Sequence, residues 1–169
     1  YAVLMPWIEG PTWFDVLMSK TSLPPQTSLD LARSLAQVLA RMEEQGIAHC
    51  DLSGPNVILP ALTSPLAPFA PSPLSGSERG EGVEESEARS VELVDLEGLY
   101  APGMPQPEVL TSGSAGYAHR TVKEGLWGPR ADRFAGAVLL AEMLGWCDPQ
   151  VVQAAWGESY FDPAEMQRD

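Results

Sequence analysis

The stretch from 47 to 59 contains the polar side chains whose types and spacing could do chemistry. It reads as an apolar approach, a polar loop and an apolar strand, with Asp51 two residues after His49 and Asn56 five residues after Asp51. A loop between two buried segments can hold a carboxylate and a carboxamide in a fixed relation. The acid could then accept a hydroxyl proton while the amide oxygen binds a metal ion, which is the chemistry of phosphoryl transfer.

A second acid, Asp95, lies at the end of a later apolar segment. The alternating run 91–94 leads into it, and Gly98 follows three residues later, so a carboxylate can project toward a metal while the backbone turns away. A strand-terminal acid is more often structural than catalytic. Its place after Asp51 and Asn56 favours a metal-binding role here.

Two helices are predicted on either side of these residues. Before the loop, apolar residues recur at helical spacing from 27 or 28 to 45, where Thr27 and Asp30 fit a capping box. After the loop, the segment 132–144 is apolar on nearly all sides, which predicts a central helix. Asp132 at its start is the exception, and its carboxylate could be satisfied by N–H groups of the same helix.

The rest of the chain gives shorter patterns. Residues 60–90 are rich in Pro, Ser, Gly and Glu and have almost no periodicity. They cannot bury enough apolar surface to offset the entropy of ordering, so we expect a disordered or loosely held insertion. The remaining predicted elements are a strand over 1–5, a helix capped by Thr12 and running through Leu17, a strand over 57–59 and a helix around 150–156.

Composition excludes several classes of protein. The 169 residues are 44% hydrophobic, enough for one domain with a core, and no apolar run is long enough to predict a membrane span. A formal net charge of -13 with ten scattered Lys and Arg argues against a nucleic-acid surface. Cys50 and Cys147 lie far apart without a metal-binding pattern, which favours a reducing cytoplasm over a disulfide framework.

Taken in order, the motifs resemble the large lobe of a protein kinase. Residues 49–56, His-Cys-Asp-Leu-Ser-Gly-Pro-Asn, are similar to the catalytic loop pattern H-R-D-L, three residues, N. Residues 95–98, Asp-Leu-Glu-Gly, look like a variant of D-F-G. Residues 113–117, Gly-Ser-Ala-Gly-Tyr, resemble the G-T-x-G-Y segment that forms the peptide ledge. The resemblance covers about residues 1–146.

The resemblance implies an α+β fold, a mostly helical kinase-like C-lobe with short β-hairpins. Residues 1–169 would form one partial kinase domain, hinge and C-lobe, interrupted by the insertion 60–90. The small N-lobe, with its glycine-rich loop and strand lysine, would lie before Tyr1. The implied function is that of a bacterial-style, cytoplasmic serine/threonine protein kinase that uses ATP and Mg²⁺ to phosphorylate a protein or peptide. The isolated chain, lacking the N-lobe, is expected to be inactive.

The resemblance also implies a role for each matching residue. Asp51 would accept or orient the acceptor's hydroxyl proton, and Asn56 and Asp95 would hold Mg²⁺ against the ATP phosphates. His49 and Asp132 would support the catalytic loop. The expected adenine contacts are Met5 at the gatekeeper position with Pro6 and Ile8, and the expected substrate loop contains Gly113, Ser114, Gly116 and Tyr117.

Three positions depart from the family pattern. Cys50 replaces the arginine that in many kinases receives an activation-loop phosphate, so we predict activity without such phosphorylation. Ser53 replaces a lysine that steadies the transferred phosphate, which predicts slower transfer or a different acceptor. The A-P-E motif is replaced by 118–121, which leaves Arg120 or His119 as candidates to anchor this loop.

Two other functions compete with a protein kinase. A small-molecule phosphotransferase of the aminoglycoside or choline kinase type is favoured by Ser53 and Cys50 but opposed by the 113–117 segment. A pseudokinase scaffold is opposed by the joint presence of Asp51, Asn56 and Asp95. The sequence alone names neither the substrate nor a preference between serine and threonine.

Overall fold

The computed structural model describes residues 8–60, 62, 91–110, 112–121 and 125–166. The predicted strand 1–5, with Met5 and Pro6, and nearly all of the predicted insertion lie outside the described residues. Within these ranges the fold is α+β, as expected. The helices are α1 (Trp13–Ser19), α2 (Pro25–Glu44), α3 (Arg133–Gly145), α4 (Pro149–Ala154) and α5 (Pro163–Met166), and the strands are β1 (Val57–Ile58) and β2 (Glu92–Leu93), with short 3₁₀ turns at Gly54–Asn56 and Leu96–Gly98.

The predicted helix α1 is confirmed, including its cap. The Thr12 hydroxyl accepts a hydrogen bond from the Asp15 backbone N–H at 3.2 Å, and the Thr12 N–H donates to the Asp15 carboxylate at 2.8 Å. This reciprocal pair satisfies two donors that the first helical turn leaves open. The face that α1 buries consists of Trp13, Val16 and Leu17, whose spacing places them on one side of the helix.

Helix α2 is confirmed, but its predicted start is wrong. The helix begins at Pro25, and Pro24 at the N-cap makes no side-chain cap. Proline suits the first helical position because its fixed φ is helical and its missing N–H is not needed there. Thr27 is therefore buried inside the first turns, and Asp30 accepts a bond from Gln26 Nε2 at 2.8 Å instead of completing a capping box. The helix stops before Gly46, which has φ +70°.

Helix α3 packs against α2 and is less central than its apolar sequence predicts. Its buried side contributes Val138, Leu139 and Met143 to the main core. The opposite side is open among the described residues, with Leu144 50% exposed. Gly136 allows the close approach to α2, because a Cβ there would lie 2.7 Å from Leu39 Cδ1. One side of α3 is therefore packed against the core while the other remains at the surface.

The two strands form an antiparallel pair that brings distant segments together. Val57 pairs with Leu93 and Ile58 with Glu92. The pairing continues past the strand ends, where the Val94 N–H donates to the Asn56 carbonyl at 3.1 Å. Asp95 therefore follows β2 at the end of the sheet where Asn56 precedes β1. No helix in the described part of the chain is long and apolar enough to cross a membrane.

Candidate active site

The backbone of the loop after Ala48 is held by the carboxylate of Asp132. Oδ2 accepts a hydrogen bond from the His49 N–H at 2.6 Å, and Oδ1 accepts one from the Cys50 N–H at 2.9 Å. Asp132 precedes α3 but makes no side-chain cap to that helix. The alternative in which its own helix satisfies the carboxylate is thus not what the structure has. The contact is the one that a supporting role for Asp132 requires.

The fully buried side chain of His49 connects its own loop to the backbone before Asp95. Its Nε2 lies 2.7 Å from the Val94 carbonyl oxygen, and its Nδ1 accepts a bond from the Asp51 N–H at 3.3 Å. The carbonyl can only accept and the amide can only donate, so the pair of contacts fits the neutral tautomer that has hydrogen on Nε2. His49 thereby fixes the residue before Asp95 relative to Asp51.

Asn56 is tied to Asp51 across the turn of the loop. Its Nδ2 donates to the Asp51 carbonyl at 2.9 Å, and its own N–H donates to the Ser53 carbonyl at 3.1 Å. Since the amide nitrogen is used inside the loop, the amide oxygen is the group left to bind a ligand. The loop therefore presents an Asp carboxylate and an Asn carbonyl oxygen from a closed, hydrogen-bonded turn.

Asp51 and Asp95 interact electrostatically. Partial burial raises the pKa of the Asp51 carboxyl above its usual value. The interaction with His49 offsets part of that rise, and the negative charge of Asp95 adds to it. Asp95 itself is exposed. The two carboxylates repel each other, and a bound cation would reduce that repulsion.

The backbone is strained at two residues of this site. Cys50 has φ 67° and Asp95 has φ 62°, both in the left-handed region that side chains with a Cβ adopt at a cost. Among the described residues the remaining non-glycine case is Lys20, at the end of α1. Strain of this kind persists where the surrounding structure holds it, and it clusters at functional sites.

A small cavity of about 50 Å³ adjoins Asp51. Its wall includes Gly113 and Tyr117 of the predicted substrate loop, together with His119 and Phe134. The two rings are in edge-to-face contact, with centroids 4.8 Å apart. The 113–117 segment thus lies beside the candidate acid.

The residues present could supply some, but not all, of the oxygen ligands of a hard divalent cation. Asn56 and Asp95 supply an amide oxygen and a carboxylate at the same end of the strand pair, and Mg²⁺ commonly takes one or two protein ligands with phosphate and water oxygens. Among the residues that the structure describes, no group of three or more His, Cys, Asp or Glu could hold a metal by itself. A bound Mg²⁺ would therefore need oxygens from its substrate.

Two of the three residues predicted to contact adenine lie outside the described residues. Ile8 is partly buried, while Met5 and Pro6 fall outside the described ranges, so this contact stays a prediction. By contrast, hydrogen bonds connect His49, Asp51 and Asn56 within one loop and attach that loop to Asp132.

Sequence reasoning missed one residue near the site, Glu142. It is 2% exposed and accepts a bond from the Tyr117 hydroxyl at 2.9 Å. A lone acid within an otherwise apolar helix was the available signal, since such a group is seldom buried without partners. Comparison of the chain with protein-family models and with curated proteins finds no match.

Proposed function

We propose that the chain is the large lobe of a kinase-like phosphotransferase that uses ATP and Mg²⁺, with a serine or threonine of a protein as acceptor. The observation that supports this best is the hydrogen-bonded loop, in which Asp132 holds the backbone of His49 and Cys50 while Asn56 is tied to Asp51. A loop fixed in this way can present one acid to a hydroxyl and one amide oxygen to a cation.

In this proposal Asp51 orients the acceptor hydroxyl and takes its proton as the phosphoryl group is transferred. The raised pKa of Asp51 suits that role, because a base closer in pKa to working pH transfers protons more effectively. Asn56 and Asp95 hold the cation. A bound Mg²⁺ would neutralise charge on the phosphate oxygens.

Burial of Ser53 bears on the rate of this reaction. Its side chain is 1% exposed, so the position that carries a lysine in serine/threonine kinases does not offer a charged group to the transferred phosphate. Less stabilisation of the transition-state charge predicts slow transfer. The same feature favours the second candidate, a small-molecule phosphotransferase, whereas the 113–117 wall beside Asp51 favours a peptide acceptor.

An acceptor panel separates these functions. The chain would be assayed with its native upstream sequence, ATP and Mg²⁺ against serine and threonine peptides, a mixed protein substrate, aminoglycosides and choline. Label on peptides or protein supports the proposal, and label only on small molecules supports the second candidate. Binding of ATP without transfer to any acceptor would favour a scaffold and contradict both enzymes.

A further inference from the structure

The carboxylate of Glu142 is the meeting point of four segments of the chain. Oε2 accepts from Trp13 Nε1 at 2.9 Å and from the Tyr117 hydroxyl at 2.9 Å. Oε1 accepts from the Ser159 hydroxyl at 2.8 Å and from the Tyr160 backbone N–H at 2.7 Å. These donors come from α1, the 113–117 turn and the 156–160 segment, while Glu142 itself belongs to α3.

The four donors match an acceptor-only group. Each oxygen takes two hydrogen bonds, and on each oxygen one donor, the Trp13 indole or the Tyr160 amide, cannot reverse its direction. In the part of the chain that the structure describes, Glu142 makes no ion pair with Lys, Arg or His. Burial raises the pKa of Glu142, and its hydrogen bonds to Tyr160, Trp13, Ser159 and Tyr117 offset part of that rise.

Tyr117 connects this cluster to the candidate active site. Its backbone N–H donates to the Ser114 carbonyl at 2.9 Å, closing the turn that forms one wall of the cavity beside Asp51. Its hydroxyl lies against the loop between Asp51 and Asn56, because a Cβ on Gly54 would be 3.1 Å from that oxygen. One phenol therefore touches the turn, the loop and the buried acid.

The turn is also seated directly on the 156–160 segment. Gly116 has φ +83°, and a Cβ there would lie 2.5 Å from the Cβ of Ser159, so a side chain larger than hydrogen cannot fit without movement. His119, one of the two residues considered as an anchor for this loop, uses its Nδ1 on the Thr121 hydroxyl at 2.7 Å. The His119 ring also contacts Phe134 of α3. The hydrogen bond from the turn to the buried acid is made by the Tyr117 hydroxyl, which also lies 3.4 Å from the Glu158 carbonyl oxygen.

We infer that Glu142 is a positioning residue, which holds the 113–117 turn against the catalytic loop through Tyr117 and so sets where an acceptor lies relative to Asp51. This inference rests on the proposed function for its catalytic consequence. Its structural part, attachment of the turn through Tyr117 and Glu142, can be measured without any turnover.

The test compares Tyr117→Phe with the matched variant Tyr160→Phe. Tyr160 contributes its backbone N–H to the cluster, which the second variant keeps, so only the first variant breaks a bond to Glu142. Hydrogen exchange would be followed at the amides of Tyr117 and Ala118, both bonded to the Ser114 carbonyl. We expect about tenfold faster exchange in Tyr117→Phe, as for loss of one bond to a charged group, and no change in Tyr160→Phe.

A kinetic measurement distinguishes positioning of the acceptor from a purely structural role. With the native upstream sequence present, Tyr117→Phe should raise KM for the acceptor about tenfold and leave KM for ATP unchanged. Equal exchange rates in both variants would overturn the inference. Exchange rates that separate the variants, with no transfer by any form, would overturn the proposed function and leave the attachment through Glu142 standing.

Glu142→Gln provides a second variant. Either orientation of the amide sets its NH₂ against the Trp13 indole or the Tyr160 amide, both obligatory donors. The same faster exchange at Tyr117 is expected in this variant if it folds. If it does not fold, the comparison of Tyr117→Phe with Tyr160→Phe decides the inference alone.

Discussion

The pKa of Asp51 reflects its burial and the repulsion between its carboxylate and that of Asp95. Burial and the charge of Asp95 raise the pKa of Asp51, so the folded chain binds more protons than the unfolded chain between the ordinary aspartate pKa and the raised value. The contribution of Asp51 to stability therefore falls as pH rises through that window. This loss of stability is expected for an acid that is selected for function and not for stability.

The coupling between the two acids gives a titration test. Asp95→Asn removes the smaller of the two causes that raise the pKa of Asp51, so that pKa should fall toward its usual value. Burial, the larger cause, still raises it against the opposing effect of His49. The measurement is a carbon-detected NMR titration of the Asp51 carboxyl. Asp30→Asn, on the surface of α2, is the matched control and should leave that pKa unchanged. An unaltered Asp51 titration in Asp95→Asn would show that the acids do not share a site.

Cys50 leads to a prediction about regulation. Burial raises the pKa of its thiol, and a second cavity of about 200 Å³ beside it is lined by Glu97, Leu110, Leu126 and Trp127 among others, with no Lys, Arg or His in its described lining. A phosphate on the 99–121 segment would find an acid there and no cation. Phosphatase treatment should therefore leave transfer unchanged. A loss of activity that rephosphorylation restores would contradict this.

At the scale of elements, the candidate site is a loop held by distant partners. Asp132 lies 83 residues from His49 in sequence, yet its carboxylate accepts from two consecutive backbone N–H groups of the loop. The start of α3 thus fixes the loop between α2 and β1. Position in sequence suggested Asp132 through the resemblance, but no local pattern could show which backbone groups it binds.

Asp132→Ala should destabilise the fold as well as the loop. Two partly buried N–H groups would lose their acceptor, and each such loss costs about 1–3 kcal/mol. Urea denaturation should therefore show a decrease of about 2–6 kcal/mol in the free energy of unfolding. Asp148→Ala, which removes one N-cap bond at α4, provides the comparison and should cost about 1 kcal/mol. Equal losses in the two variants would argue against the two-bond role of Asp132.

The cap of α1 makes a separate prediction. Thr12→Ala removes the hydroxyl that accepts from Asp15 and should cost about 1 kcal/mol. Thr21→Ala, at an exposed position just after α1, is the matched control and should change stability by less than about 0.5 kcal/mol. Thermal unfolding of both variants measures the difference. A loss no larger in Thr12→Ala than in the control would mean that the cap contributes nothing.

At the scale of the whole molecule, sequence reasoning succeeded where a feature is local. The cap at Thr12 and the helical spacing of the apolar residues in α2 depend on neighbours along the chain, and the structure has both. The start of α2 was misplaced because a weak cap pattern at Thr27 was preferred over proline at the first helical position. The exposure of one side of α3 depends on which distant segments pack against the helix, and no local sequence pattern indicates this.

The sequence predicts the residue types of the candidate site but not the hydrogen bonds that hold these residues in place. The order of Asp51, Asn56 and Asp95 pointed to one constellation, and the strand pair brings the last two to one end of the sheet. Glu142 is not predicted from the sequence because its four donors come from three segments that lie far from one another along the chain. Buried polar clusters are therefore where sequence reasoning on this chain fails first.

The role of Asp51 is tested by the single-turnover rate of phosphate transfer from labelled ATP with Mg²⁺. The assay compares the unmodified chain, joined to the N-lobe that the proposed function requires, with Asp51→Asn and with the surface control Asp30→Asn. We expect transfer by the unmodified and control forms and a loss of about 100-fold or more in Asp51→Asn, as for removal of a general base. Transfer at the same rate in Asp51→Asn would contradict the assignment of the site.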